Sequence, residues 1–177
     1  MAKAPRKMLG AATDPHILAL MKQIDTQSKD TVARWCLDYG EAVLLPLYEG
    51  RCPGDLRPRR ALEAARDWLA GKVKLPYVKN IILQEAHAAA REREDDPAAQ
   101  AAARALGQAA SAIHTATHAL GIAFYGAAAI AYDRLGTGAS PEAYAAIARE
   151  QGEALLASLR AVSVENEPNP VRVKWYC

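Results

Sequence analysis

The predicted fold is decided by residues 101–136, which read AAARALGQAASAIHTATHALGIAFYGAAAIAYDRLG. No Asp, Glu, Lys or Arg occurs between Arg104 and Asp133, and apolar residues recur there at helical spacing. A helix without charge on any face has to be covered by other helices. We therefore predict a central helix over about 98–134 inside an all-α bundle. The side chains expected in its core stripe are Leu106, Ile113, Leu120 and Phe124.

The same uncharged stretch is long enough to cross a lipid bilayer, which takes about 20 residues. Apart from its polar residues it is mostly Ala and Gly, which gain little from contact with lipid. The polar residues are Gln108, Ser111, His114, Thr115, Thr117 and His118. We therefore expect a helix enclosed by protein and no membrane partner.

Outside this stretch, apolar residues keep helical spacing, and the breaks coincide with Pro, Gly and capping residues. This pattern predicts about six helices. The first is expected to begin just before Pro15, and the second to run over about 28–47 with a kink or an early end at Pro46. Ser140 followed by Pro141 predicts the start of the last helix. The first helix is expected to bury Ile17, Leu20, Met21 and Ile24.

The ends of the chain differ from its helical middle. We predict a flexible segment over 1–12, one bundle domain over 13–162 and an extended tail over 163–177. Within the tail, ENEPNP (165–170) cannot continue a helix, and VRVKWYC (171–177) alternates apolar and polar residues. Because Trp175 and Tyr176 would be poorly placed in water, we expect the tail to pack on the bundle or on a partner subunit. A frayed terminus is the alternative.

Composition narrows the possible functions. The 177 residues carry a formal net charge of +2, which is far from the basic excess typical of nucleic-acid binders, so no nucleic-acid partner is expected. Three cysteines at wide spacing indicate reduced thiols. The N-terminal residues lack the apolar segment of a signal peptide, and we therefore expect a cytoplasmic protein.

Histidines are the best candidates for chemistry. His114 and His118 are spaced i and i+4, so on one helix both imidazoles reach a common ion, with His87 as a third ligand. No carboxylate at Glu-x-x-His spacing precedes these residues, so neither a zinc pattern nor a di-iron pattern is complete. We expect structural histidines bonded to hydroxyls such as those of Thr115 or Tyr125, with no metal and no cofactor. The alternative is a ligand site formed by the three histidines and Tyr125.

Gly107, Gly121 and Gly126 lie among alanines in the same stretch, and such small residues let another helix approach closely. The neighbour is either a helix of the same chain or a second subunit, and the two interpretations are compatible. Together with the aromatic tail, this pattern predicts a homo-oligomer, most simply a dimer.

Catalytic motifs do not emerge from the sequence. It contains no dinucleotide-binding, phosphate-binding, nucleophile-elbow or metalloprotease pattern, and Cys52 has no His near it in sequence. The RPRR run over 57–60 could bind an anion at a helix start, although surface ion pairs are the simpler interpretation. We expect no catalytic residues.

Three stretches carry a family resemblance. They are DTQSKDTVARWCLDYGEAVLLPLYE (25–49), CPGDLRPRRALEAARDWLAGKVKLP (52–76) and the central stretch (101–136). They resemble a family of all-helical bacterial immunity proteins, and the resemblance extends from about Asp14 to the terminal KWYC. It implies an all-α fold, a cytosolic location and a cognate protein toxin as partner. It implies no catalytic residues.

Two functions of other classes remain open. One is a metal- or small-molecule-binding helical bundle, with or without enzymatic activity, that uses His87, His114, His118 and Tyr125. The other is a helical oligomer with a scaffold role. A ligand bound between the fourth and fifth helices would favour the first of these, whereas a toxin gene beside the gene for this chain would favour the immunity function.

Overall fold

The computed structural model describes residues 5–175. This part of the chain is all-α, contains no strand, and forms one helix more than the six or so that the sequence predicts. Its seven helices are α1 (Pro15–Ile24), α2 (29–51), α3 (Arg57–Leu69), α4 (75–91), α5 (Pro97–Ser111), α6 (Ala119–Leu135) and α7 (Pro141–Val162).

The uncharged stretch forms a hairpin of two helices and not the single helix predicted over 98–134. α5 ends at Ser111, and a 3-10 turn over Ala116–His118 leads into α6. Ser111 Oγ donates to the carbonyl of Gly107, a bond that bends helices, and Thr115 has extended backbone angles of φ −144° and ψ 111°. The chain therefore reverses direction without any Pro or Gly at the turn.

The two helices of the hairpin are antiparallel and lie at the centre of the molecule. Arg51 shows this directly, because its Nε donates to Asp96 at the start of α5 and its Nη1 to Asp133 near the end of α6, both at 2.9 Å. Of the core residues predicted on this stretch, Leu106, Ile113 and Leu120 are buried, and Phe124 is only partly buried. The remaining helices form a layer around this centre.

Four of the outer helices pack directly against the hairpin, and α1 packs on the last of them. α2, α3 and α4 pack against α5, and α7 packs against α6. α1 lies on α7, and it buries the four apolar side chains expected of it, which are Ile17, Leu20, Met21 and Ile24. None of the helices in residues 5–175 is both long and apolar enough to cross a membrane.

Glycines of the hairpin receive side chains of the same molecule. A Cβ at Gly107 would lie 2.8 Å from His87 Cε1, and one at Gly126 would lie 3.4 Å from Leu44 Cδ2. A Cβ at Gly121 would lie 2.8 Å from Gln108 Cβ across the hairpin. These glycines serve the packing inside one chain, which was the first of the two interpretations of the sequence.

Two helices contain a wider π-turn. In α2 the α-helix Lys29–Tyr39 passes through the π-turn Gly40–Leu44 into Leu45–Arg51, and in α4 the corresponding turn is Ile82–Ala86. The sequence predicted either a kink or an early end of the second helix at Pro46, and the early end is wrong. The helix widens before Pro46, where Leu45 N–H donates to the carbonyl five residues back, and it then continues to its C-terminus at residue 51.

Segments at both ends of the described residues contact the bundle. In the segment predicted to be flexible, Leu9 contacts the bundle, since it is 4% exposed and donates its N–H to the carbonyl of Phe124, whereas residues 5–8 are exposed. The C-terminal tail follows the turn between α1 and α2, where the buried Gln27 side chain bonds both the N–H and the carbonyl of Val164. Trp175 Nε1 donates to Asp25, so the tail rests on its own bundle, whereas Tyr176 lies outside the described residues.

Candidate functional site

Three of the four histidines lie around the tip of the hairpin. His118 belongs to the 3-10 turn before α6, and His114 belongs to the connection just before that turn. Their ring centroids are 5.4 Å apart, with the planes tilted by 54°. His87 reaches the same region from α4. The i, i+4 spacing thus predicted a real neighbourhood, although the two residues do not share a regular helix.

His118 is fixed by a hydrogen bond across the hairpin. Its Nδ1 lies 2.7 Å from Gln108 Oε1, on α5. This pairing depends on the close approach at Gly121, where the Gln108 side chain occupies the space that a Cβ would need. The predicted bond to a hydroxyl is therefore wrong for His118. The helix break leaves Thr115 exposed to solvent, so its hydroxyl is not the partner.

His87 is placed by the π-turn of α4. The turn Ile82–Ala86 ends directly before it, and the N–H of His87 donates to the carbonyl of Ile82, five residues back. The imidazole lies against Gly107 of α5, where only a glycine leaves room for the ring. π-turns inside helices are frequent at functional sites. The spacing of residues gave no signal for this π-turn.

The surroundings favour the neutral form of all three rings. Burial lowers the pKa of each, because an imidazolium loses hydration there. Repulsion from Arg91 and His118 lowers the pKa of His87 further, and repulsion from His118 and Lys79 does the same for His114. The neutral form of each ring therefore predominates at neutral pH.

Tyr125 and His114, which were also predicted in this site, make no hydrogen bond to the other histidines in the described residues. Tyr125 is partly buried against the core on α6. His114 Nδ1 is buried and has no hydrogen-bond partner in the described part of the chain. Over residues 5–175, no group of three or more His, Cys, Asp or Glu side chains is arranged to hold a metal ion.

A cavity of about 750 Å³ opens at the other end of α6, and the sequence analysis did not anticipate it. Its wall includes Tyr132 from the end of α6, Tyr144 and Arg149 from α7, and His16 from α1. The N-terminal segment closes one side with Arg6. These residues come from four separate parts of the chain, so no local pattern could have revealed them. We call this space the N-terminal cavity.

The RPRR run forms ion pairs, as the simpler interpretation predicted. Arg57 pairs with Asp55, Arg59 with Glu49 and Arg60 with Glu85, at N···O distances of 2.6–2.7 Å. Arg66, further along α3, bonds both Asp38 and Glu41. Each of these four guanidinium groups has a carboxylate partner, so this face of the molecule is a network of paired charges.

No curated protein and no solved structure matches the chain. A family model described as "Imm-5 like putative immunity protein" matches residues 22–158. The matched part begins in α1 and ends in α7, so it includes the whole central hairpin and the histidine cluster. The chain therefore belongs to the Imm-5-like family of immunity proteins.

Proposed function

We propose that this protein binds a cognate protein toxin in the cytoplasm and neutralises it without catalysis. The observation that carries the proposal is the family match, which covers 137 of the 177 residues. Immunity proteins as a class protect the cell from a toxin delivered by a neighbouring cell.

Binding without catalysis is supported by the contacts that the rings of the histidine cluster (His87, His114 and His118) make within the protein. A histidine that acts as a general acid or base has to lie within hydrogen-bond reach of the substrate. Here His118 is engaged with Gln108, and His87 fills the space beside Gly107. Both rings therefore have a structural role that accounts for their position. From the sequence we expected a structural role for His114 and His118, and that role is part of the proposal.

Coexpression tests the first half of the proposal. The toxin candidate is a secreted protein encoded beside the gene for this chain, and its induction in a host is expected to stop growth. Coexpression of this chain should restore growth, and affinity capture from those cells should recover the two proteins together. If the protein gives no protection against a toxin encoded beside it, the immunity function is contradicted.

A titration with purified proteins tests the second half. If neutralisation is binding, residual toxin activity should fall linearly and reach zero near a fixed molar ratio, with no further loss on longer incubation. An enzyme that modifies the toxin would inactivate many equivalents over time. Replacement of His87 and His114 by Gln should leave the titration endpoint unchanged, provided that circular dichroism shows the variant to be folded.

We also propose that the chain forms a homodimer. The C-terminal tail gives no support for a dimer, because Trp175 Nε1 donates to Asp25 of its own chain. Support comes from large apolar side chains on α4, where Tyr77 is 53% and Leu83 50% exposed. Sedimentation equilibrium should give twice the 19.0 kDa of the chain, and a particle of 19.0 kDa at micromolar concentration would overturn the proposal.

A further inference from the structure

The N-terminal cavity has the size and lining of a small-molecule site. Its volume of about 750 Å³ falls within the range of about 300–1,000 Å³ that ligand pockets occupy. It lies at the opposite end of α6 from the histidine cluster. Between residues 118 and 132 a helix rises about 21 Å, so the two places are independent of each other.

The aromatic part of the wall is apolar, because its hydroxyls are already bonded. Tyr132 Oη donates to the carbonyl of Arg6 at 2.6 Å. Tyr144 Oη donates to the carbonyl of Gly136 at 2.8 Å and accepts the N–H of Ala139 at 3.1 Å. The two rings meet edge to face, with centroids 5.6 Å apart. A ligand therefore meets aromatic carbon here, and neither tyrosine O–H is available to donate to it.

The charged part of the wall is mainly cationic. Arg6 and Arg149 both line the cavity, and neither takes part in an ion pair within residues 5–175. Asp14 is the acidic side chain among the lining residues, and it accepts the N–H of Ala11 at 2.8 Å. The lining thus contains two guanidinium groups without an ion-pair partner in residues 5–175, and one carboxylate, Asp14, whose Oδ2 lies 3.9 Å from His16 Nε2.

A smaller adjoining cavity continues the same charge pattern. Its volume is about 210 Å³, and it shares Arg6 and Tyr132 with the larger one. Lys7 and Arg104 line it, together with a single acid, Glu94. An anion approaching this end of the bundle therefore meets more positive than negative side chains.

We propose that the N-terminal cavity binds a small aromatic or apolar monoanion, such as a carboxylate. The apolar body would lie against Tyr132 and Tyr144, and the anionic group would be recognised by Arg149 and Arg6. This binding goes beyond the immunity function, and it can hold or fail independently of any toxin.

Fluorescence titration of the full-length protein with 8-anilinonaphthalene-1-sulfonate, an aromatic monoanion, tests the proposal. We expect saturable binding of one equivalent per chain. 1-Naphthylacetate should displace the dye, whereas the matched neutral alcohol, 1-naphthaleneethanol, should displace it at least about tenfold less well, since an ionic hydrogen bond contributes on this scale. Equal displacement by acid and alcohol would overturn the assignment of an anion site.

Two variants locate the binding in the cavity. Arg149→Gln should weaken dye binding about tenfold and remove the preference for the acid over the alcohol. Ala145→Trp, at a lining position exposed to solvent, should suppress dye binding by obstructing the cavity. Arg160→Gln is the matched control, because Arg160 is exposed on the same helix outside the lining.

The melting temperature of each variant shows whether it has folded. If dye binding is absent, or is unchanged in both folded cavity variants, the proposal is wrong. Should Ala145→Trp fail to fold, Arg149→Gln still decides between anion recognition at this wall and nonspecific uptake of the dye.

Discussion

The close packing of the central hairpin depends on Gly121, where Gln108 occupies the space of a Cβ. A Cβ there would lie 2.8 Å from Gln108 Cβ, which is fixed to the backbone of α5 and cannot turn away. The two helices would have to separate. We expect Gly121→Ala to lower the free energy of unfolding by about 1–3 kcal/mol, as overpacking does elsewhere.

Gly50→Ala is the matched control for this substitution. Gly50 is also helical, in α2, and a Cβ there meets nothing within 4 Å. Replacement should raise the free energy of unfolding by about 0.5–1 kcal/mol, because alanine loses less backbone entropy on folding. Urea unfolding measures both variants, and an equal gain in stability at Gly121 would contradict the hairpin packing described above.

Replacement of His118 tests whether its hydrogen bond to Gln108 stabilises the fold. His118→Ala leaves Gln108 Oε1 without its partner, and we expect a loss of about 1–3 kcal/mol in the free energy of unfolding. His114→Ala should cost less, because His114 Nδ1 has no partner to lose. Thermal and urea unfolding compare the two variants. A larger loss in His114→Ala would mean that the hydrogen bond to Gln108 does not stabilise the fold.

The sequence predicted the histidine neighbourhood but not its hydrogen bond. The spacing of His114 and His118 predicted two neighbouring rings, and the turn that replaces the expected helix also leaves their centroids 5.4 Å apart. Gln108 lies ten residues before His118 and would be far from it along a straight helix. Only the reversal of the chain between them makes the bond possible, and that reversal has no Pro or Gly to mark it.

The length of the uncharged stretch could have corrected the prediction of a single central helix. A single helix over 98–134 would be about 55 Å long. A domain of this size has a radius of gyration of only about 16 Å, so such a helix would extend beyond its cover. The uncharged composition predicted burial correctly, whereas the hairpin follows from the need to bury the whole stretch within one compact chain.

The C-terminal tail is held to α2 mainly through Glu167. Its carboxylate accepts the N–H and the hydroxyl of Ser28, at 2.7 and 2.8 Å, and the hydroxyl of Thr31 at 2.5 Å. Ser28 caps the start of α2, so the tail completes that helix terminus. We expect Glu167→Ala to lower the free energy of unfolding by about 1–3 kcal/mol and to release the tail.

Limited trypsin digestion detects the release, because Arg172 and Lys174 lie in the tail. Both sites should be cut faster in Glu167→Ala than in the unaltered protein. Glu165→Ala is the control, since Glu165 is exposed in the same segment. If the two variants are cut at equal rates, Glu167 is not what holds the tail.

The stability of the whole molecule depends on pH through the groups whose pKa values change on folding. The pKa values of His87, His114 and His118 lie below their ordinary value of 6.5 in the folded protein. Between the folded and unfolded pKa values the unfolded chain binds more protons, so stability falls as the pH drops below 6.5. His114→Gln should make this acid limb shallower.

Carboxylates extend the same trend at lower pH. Hydrogen bonds from Arg57 hold the pKa of Asp55 below its ordinary range. Burial acts to raise the pKa of Glu167, but its bonds to Thr31 and Ser28 outweigh this and hold it low. The stability that these ionised groups contribute is present above their unfolded pKa values, near 4, and is lost as the pH falls through the folded ones.

Buried groups limit the stability on the alkaline side. Burial raises the pKa of the Cys36 thiol and raises that of Tyr39 to about 12. The unfolded chain therefore loses these protons first, and stability falls once the pH exceeds the ordinary thiol value of 9.0. Urea unfolding across this range should give a maximum between about pH 7 and 8.5, between the imidazole and thiol values. Cys36→Ala should flatten the alkaline limb while the acid limb stays, and a maximum near pH 5 would contradict the burial of the histidine cluster.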